Sequence, residues 1–302
     1  MLNRKSLLLV LVASALAHLP THAGTWTERN LGKDVGLADL LWDGSKFIAG
    51  GQHSLSGVIL TSADGIDWIE SGSSLPTVVS GIAQSGANYV AVGEGMVLKS
   101  SDGQNWTVLP PSNKYNYLRD VTVSRGGFLA VGIAGRALTS KNGSRWLKQH
   151  TWNRLHFKQV AYSPERRRFV AISIQGYAAI TTNGKYWVYK PAAAGTVLND
   201  ILWDGMQFVA VGDNGTVLTS PNGLKWSYSY MGADYDLLSI AWSGSEYLAV
   251  GTSYTGYTIQ VSTDLQSWTE VVTGTGTPGK VAWGNGRFVV VGAYDFTGTY
   301  IP

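Results

Sequence analysis

A heptapeptide of the form Ser/Thr-x-Asp/Asn-Gly-x-x-Trp recurs along this chain at a spacing near forty residues, and that period constrains the fold more than any other feature of the sequence. Its copies run from Ser62 to Trp68, Ser100 to Trp106, Ser140 to Trp146, Thr181 to Trp187, Ser220 to Trp226 and Ser262 to Trp268, with Leu265 in place of glycine in the last. Counting from Trp26, the tryptophan steps are 42, 38, 40, 41, 39 and 42 residues. Between the boxes, short runs of Val, Ile, Leu, Phe and Tyr alternate with Asp-Gly, Ser-Gly and Asn-Gly pairs at hairpin distances, as in the stretch from Leu198 to Ser220. No stretch carries the period of a long amphipathic helix. Four strands per unit, seven units and no unit able to bury both faces alone specify an all-β, seven-bladed β-propeller.

The chain ends support the count of seven. The segment from Gly279 to Tyr300 repeats three strands of a unit and stops before any box, whereas Thr25-Trp26-Thr27-Glu28 is the missing fourth strand. The N-terminal strand, residues 24–30, is therefore expected to pair with the C-terminal blade, residues 279–302, and remove an open edge. Ahead of it, Arg4 and Lys5 precede an apolar run from Ser6 to Ala17, and Thr21-His22-Ala23 places small residues where a signal peptidase reads. Residues 1–23 are expected to be a signal peptide. The remaining 24–302 form the single propeller, exported to a periplasm or secreted, with no stable membrane insertion after cleavage.

The repeated box resembles the Asp-box, or bacterial neuraminidase repeat, of sialidase-like propellers and of the seven-bladed photosystem II stability and assembly factor family. It has one fewer residue between Asp and Trp than the commonest pattern. The resemblance spans essentially the whole mature chain and implies the propeller fold and, by analogy, an assembly or chaperone-like role. The Asp-box members Asp64, Trp68, Asp102, Trp106, Asn142, Trp146, Asn183, Trp187, Asn222, Trp226, Asp264 and Trp268 are read as structural. In a hairpin turn the Asp or Asn oxygen accepts backbone N–H groups two residues on, the glycine takes positive φ and the tryptophan covers the turn.

Strand parity puts the boxes at one end of the ring and the irregular second turns and interblade loops at the other. Aromatic and polar residues on that second end form the expected recognition surface: Tyr115, Tyr117, Trp152, Arg154, Asp213, Tyr235, Tyr254, Tyr294 and Asp295. At the box end, Glu165-Arg166-Arg167-Arg168 is read as a solvated turn, with docking of an acidic partner as the alternative.

Composition narrows the chemistry. The chain has no cysteine and a formal net charge of +3, which removes thiolate chemistry and gives nucleic acid no support. His53, His150 and His156 show no ligand spacing, so neither a metal nor a cofactor is expected. Glu94, Asp213 and Asp295 occupy comparable turns and keep a carboxylate pair across the channel open, but the sialidase Phe-Arg-Ile-Pro-type segment is missing. The expected function is a non-catalytic scaffold for an envelope or secreted protein, with a glycan-binding module as the alternative and a glycoside hydrolase less favoured.

Overall fold

The computed structural model describes residues 24–110, 116, 118–151, 154–232 and 235–302. Their strands form seven four-stranded antiparallel sheets. Blade 1 runs from Val35 to Leu75, blade 2 from Gly81 to Val108, blade 3 from Leu118 to Lys148 and blade 4 from Phe157 to Pro191. Blade 5 spans Leu198 to Tyr230 and blade 6 Asp236 to Gly274. Blade 7 takes three strands from Thr277–Gly284, Arg287–Ala293 and Phe296–Ile301 and its outermost from Thr25–Asn30, in a register that sets Trp26 opposite Tyr300. The all-β, seven-bladed propeller closed by its N-terminal strand is the fold that the repeat predicts. The expected signal peptide, residues 1–23, lies outside the described residues.

Each blade buries both faces. The apolar core is accordingly divided into seven layers between neighbouring blades, such as Phe47, Ala49, Val58 and Leu60 of blade 1 against Val289 and Val291 of blade 7. This is why the second strands read as unbroken apolar runs: Phe208-Val-Ala-Val-Gly is buried at every residue. In blades 5 and 7 the second strand carries a glycine at or next to its end, where backbone at the entry to the same blade passes over it. A Cβ at Gly212 or Gly292 would lie 2.2 or 1.9 Å from the carbonyl oxygen of Val197 or Thr277. The four tryptophans outside the boxes in the first hairpins pair across strands with Phe or Tyr, as Trp42 does with Phe47 at 4.6 Å between ring centroids.

The boxes are hydrogen-bonded turns. In blade 4, Thr181 Oγ1 accepts from Gly184 N (2.9 Å), Asn183 Oδ1 accepts from the backbone N of Lys185 and Tyr186 (2.9 and 3.1 Å), and Trp187 Nε1 donates to Gly184 O (2.8 Å). The same pattern repeats at Ser220, Asn222, Gly223 and Trp226. Blade 6 shows what the glycine contributes. Leu265 holds φ +62°, its carbonyl accepts from Ser229 Oγ instead, and the buried Trp268 Nε1 has no partner among the described residues. Because each box is local, Asn183→Ala should cost about 1 kcal/mol, read as a small drop in the thermal midpoint, while ligand binding at the other end is unchanged.

Candidate binding face

The first strands of the seven blades touch one another in a closed ring and so line the axis. Six of them carry a β-bulge near the start, between Leu37 and Asp39, Leu118 and Asp120, Phe157 and Gln159, Leu198 and Asp200, Leu237 and Ser239, and Pro278 and Lys280. A bulge re-aims the following side chain. Here the residue after each bulge bonds to neighbouring blades. Asp39 Oδ2 accepts from Ile82 N of blade 2 (2.7 Å) and Asp120 Oδ2 from Val160 N of blade 4 (2.7 Å). Asp200 Oδ2 accepts from Ser239 Oγ and Ile240 N of blade 6 (2.5 and 3.1 Å), and Ser239 Oγ accepts from Val281 N of blade 7 (3.2 Å). Side chains thus stitch blade to blade where backbone ladders cannot. Blade 2 has Gly81 at this position, and a Cβ there would meet Asp120 Cα at 2.7 Å.

Lys280 spans this layer. Its Nζ lies 2.7 Å from Asp200 Oδ1, two blades away. With its amide nitrogen turned toward Asp120, Gln159 donates to Asp120 Oδ2 (2.6 Å) and accepts from Lys280 Nζ (3.2 Å). One ammonium therefore serves three buried carboxyl groups. Burial works against the Lys280 ammonium, but the charges of Asp200, Asp39 and Asp120 outweigh it and hold its pKa above the ordinary lysine value. Burial pushes Asp39 up, and burial together with the Asp39 charge pushes Asp120 well up. Lys280 and Gln159 thus meet across the ring at this level.

The mouth lies at the end with the second turns. Lys158, on the bulge of blade 4, donates to Asn199 Oδ1 (2.6 Å), and Asn199 Nδ2 donates to Asp213 Oδ1 (2.8 Å) and Leu237 O (2.7 Å). Burial lowers the Lys158 pKa, and Asp213 opposes that. Arg119 and Glu94 face each other at 4.0 Å, both partly exposed. Around the rim, the second turns of blades 6, 7 and 1 hold out Tyr254, Tyr294 and Leu55, which are 105%, 81% and 94% exposed. Tyr294 adopts φ +53°, a left-handed backbone in which asparagine or glycine would cost less. Beside it a groove of about 480 Å³ lies on blade 7 and the loop that enters it, lined by Arg29, Thr275, Thr277, Ala293 and Phe296 among others.

The residues proposed from sequence divide accordingly. Tyr254 and Tyr294 are exposed on this face, and Arg154 is exposed beside a shallow cleft that includes His150 and Thr151. Asp213 belongs to the mouth. Asp295 is 9% exposed, and its carboxylate accepts from the backbone N of Lys33, Asp34 and Val35, so it clamps the loop that enters blade 1. Tyr235 is half-buried against the layer between blades 5 and 6. Tyr115, Tyr117 and Trp152 lie outside the described residues. Sequence reasoning missed the ring of Asp39, Asp120, Gln159, Asp200, Ser239 and Lys280. Its signal was Asp two residues after the first-strand leucine in blades 1, 3 and 5.

No family model matches the chain, and no curated protein matches it. Among solved structures, YCF48 from Cyanidioschyzon merolae superposes with a TM-score of 0.72 at 17% identity, over 92% of this chain and 98% of that one. YCF48 bound to a D1 peptide gives 0.71 at 17% identity, over 92% and 95%. A catalytically inactive virginiamycin B lyase from Staphylococcus aureus with quinupristin gives 0.77 at 12% identity, over 92% and 99%. These likenesses show the fold alone.

Proposed function

We propose that this chain is a non-catalytic, exported scaffold that binds a protein partner on the face formed by its second turns. The observation that carries the reading is the set of three large side chains, Leu55, Tyr254 and Tyr294, held almost fully in solvent on three adjacent blades beside a groove. Tyrosine offers contact area at small entropic cost, and such residues anchor interfaces when clustered. The carboxylates that a hydrolase would need are engaged: Asp295 with backbone amides, Asp213 with Asn199, and Glu94 beside Arg119. The peptide-bound YCF48 structure has the same fold and supports a protein ligand by analogy. Export rests on the order of basic, apolar and small residues in 1–23.

The test is cross-linking capture from the cell-envelope fraction, comparing the wild type with a Leu55→Ser, Tyr254→Ser, Tyr294→Ser variant. One envelope protein enriched by the wild type and reduced at least tenfold by the variant is the expected result, since two anchor tyrosines at about 1 kcal/mol or more each suffice. A partner retained by the variant overturns the choice of face. Binding competed by free sugars, or turnover lost in Glu94→Gln or Asp213→Asn, overturns the scaffold reading.

A further inference from the structure

At the box end of the ring a cleft of about 670 Å³ lies between blades 3 and 4, lined by the first turn and box of blade 3 and by the box of blade 4. Its volume falls in the range of about 300–1,000 Å³ usual for small-molecule sites.

The gap between blades 1 and 2 shows how the cleft arises. There Lys46 of the first turn crosses to the box of blade 2 and donates to Asp102 O (2.8 Å), and Tyr89 Oη donates to Asp43 Oδ2 (2.9 Å). Arg168 makes the same crossing from blade 4 to Asn222 O of blade 5 (2.9 Å). Strand register puts Gly127 where Lys46 stands, Ser124 where Asp43 stands and Phe169 where Tyr89 stands. Gly127 is held at φ +117°, and a Cβ there would come within 2.2 Å of Ser140 O, so no side chain crosses from this position. The space that a lysine stem takes in blade 1 is left open beside Leu129 and Phe169, which line it.

The charges change as well. Where blade 1 has Ala63, Asp64 and Asp67, the box of blade 3 has Lys141, Asn142 and Arg145, and Asn183 of blade 4 stands where blade 2 has Asp102. Asp and Asn make the same turn bonds, as Asp264 Oδ1 with Gln266 N and Asn222 Oδ1 with Leu224 N show at 2.8 and 2.9 Å. The turn therefore does not require the exchange. Among the described residues no carboxylate lines the cleft, and neither Lys141 nor Arg145 has a hydrogen bond or ion pair. Two exposed, unpaired cations beside an apolar cleft match an anionic head on an apolar body.

The strands beside the cleft argue for a small molecule over a polypeptide. Leu129 pairs with Thr122 and Thr139, and Phe169 with Tyr162 and Thr181, so these strands are covered on both sides. The outermost strand of blade 3 has only two residues, Leu147 and Lys148, too few to template an added strand. An inserted peptide would find no backbone partners for its amides, whereas an alkyl chain has none to satisfy.

We propose that this cleft binds the anion of a fatty acid, with the alkyl chain in the space left by Gly127 and the carboxylate on Lys141 and Arg145. The site lies at the other end of the ring from the protein-binding face, so either can fail alone.

The experiment is calorimetric titration of the full chain with octanoate, decanoate and dodecanoate below their micellar concentrations. Residues 6–17 are apolar and the same in every variant, so the readout is the difference between wild type and variant. Affinity should rise up to about fourfold for each added methylene that is buried. Acetate and dodecyltrimethylammonium should bind at least about tenfold more weakly than dodecanoate. Lys141→Gln, Arg145→Gln should lower dodecanoate affinity at least about fivefold and abolish the preference for carboxylate over ammonium. Thr182→Trp, which sets a ring at the cleft wall, and Leu147→Ser, which removes an apolar side chain 56% exposed there, should each lower it severalfold at unchanged charge. Lys225→Gln, in the box of blade 5 and outside the cleft, should leave it intact. All these residues are exposed, and circular dichroism confirms folding of each variant. Dodecanoate binding by Lys141→Gln, Arg145→Gln or by Thr182→Trp equal to that of the wild type, affinity independent of chain length, or an equal loss in Lys225→Gln overturns the proposal. So does a blocked Glu-Leu-Glu peptide that binds more tightly than dodecanoate and is lost in Thr182→Trp, which would assign the cleft to a polypeptide.

Discussion

Replacing Lys280 with methionine should lower stability by about 3–5 kcal/mol, because it leaves Asp39, Asp120 and Asp200 buried around the axis without the ammonium bonded among them. The effect should depend on pH in a defined direction. In the wild type, Asp120 and Asp39 keep their protons to higher pH in the folded chain than in the unfolded one, where aspartate titrates near 3.9. From about pH 4 up to the folded values, the native state binds more protons, so these two groups make stability fall as pH rises. Removing the ammonium pushes both carboxyls further the same way. Urea midpoints of Lys280→Met should therefore lie furthest below the wild type at pH 8 and recover part of the gap at pH 5. Adding Asp200→Asn should restore part of the stability, since one of the three uncompensated groups is neutralised while Asn can still accept from Ile240 N or Ser239. An equal loss at both pH values would make Lys280 a packing residue only.

Trp26→Ala should lower stability by about 3 kcal/mol, near the lower bound for a core Trp→Ala because the ring is partly buried. Trp26 fastens the outermost strand of blade 7. Its ring stacks near Phe296 at 6.4 Å and lies over Gly298, where a Cβ would come within 2.2 Å of it. Glu28 adds a carboxylate that accepts from Tyr257 Oη of blade 6. Loosening this strand opens the ring at its one non-covalent junction and bares the edge of Phe296–Ile301, a template for pairing with another chain. The variant should melt earlier and form concentration-dependent oligomers in sedimentation velocity. An unchanged midpoint would show that the ring holds without this strand's anchor.

Legibility followed the range of the interactions. The box of Thr181 to Trp187 was readable because every bond in it joins residues within three positions, with Asn183 Oδ1 accepting from the backbone N of Lys185 and Tyr186. Closure was readable because Trp26 completes a period that the C terminus leaves unfinished. Asp295 was misjudged as a surface residue because its partners, Lys33 to Val35, are some 260 positions away and adjoin it only when the ring closes. Tyr235 has the composition of a recognition residue, but its ring falls against the layer between blades 5 and 6.

The sequence by itself determined the strand periodicity, the number of blades, the turn chemistry of each box and the end at which each loop lies, since all of these follow from local spacing and strand parity. Only the tertiary structure decided what fills the axis. The seven first strands place Asp39, Gly81, Asp120, Gln159, Asp200, Ser239 and Lys280 at one level, about forty residues apart, but only the three aspartates are chemically alike, so their repeat position does not mark them as a unit. They become a unit because the closed ring gathers Asp200, Asp39 and Asp120 around Lys280, and burial makes one ammonium essential to three carboxyl groups.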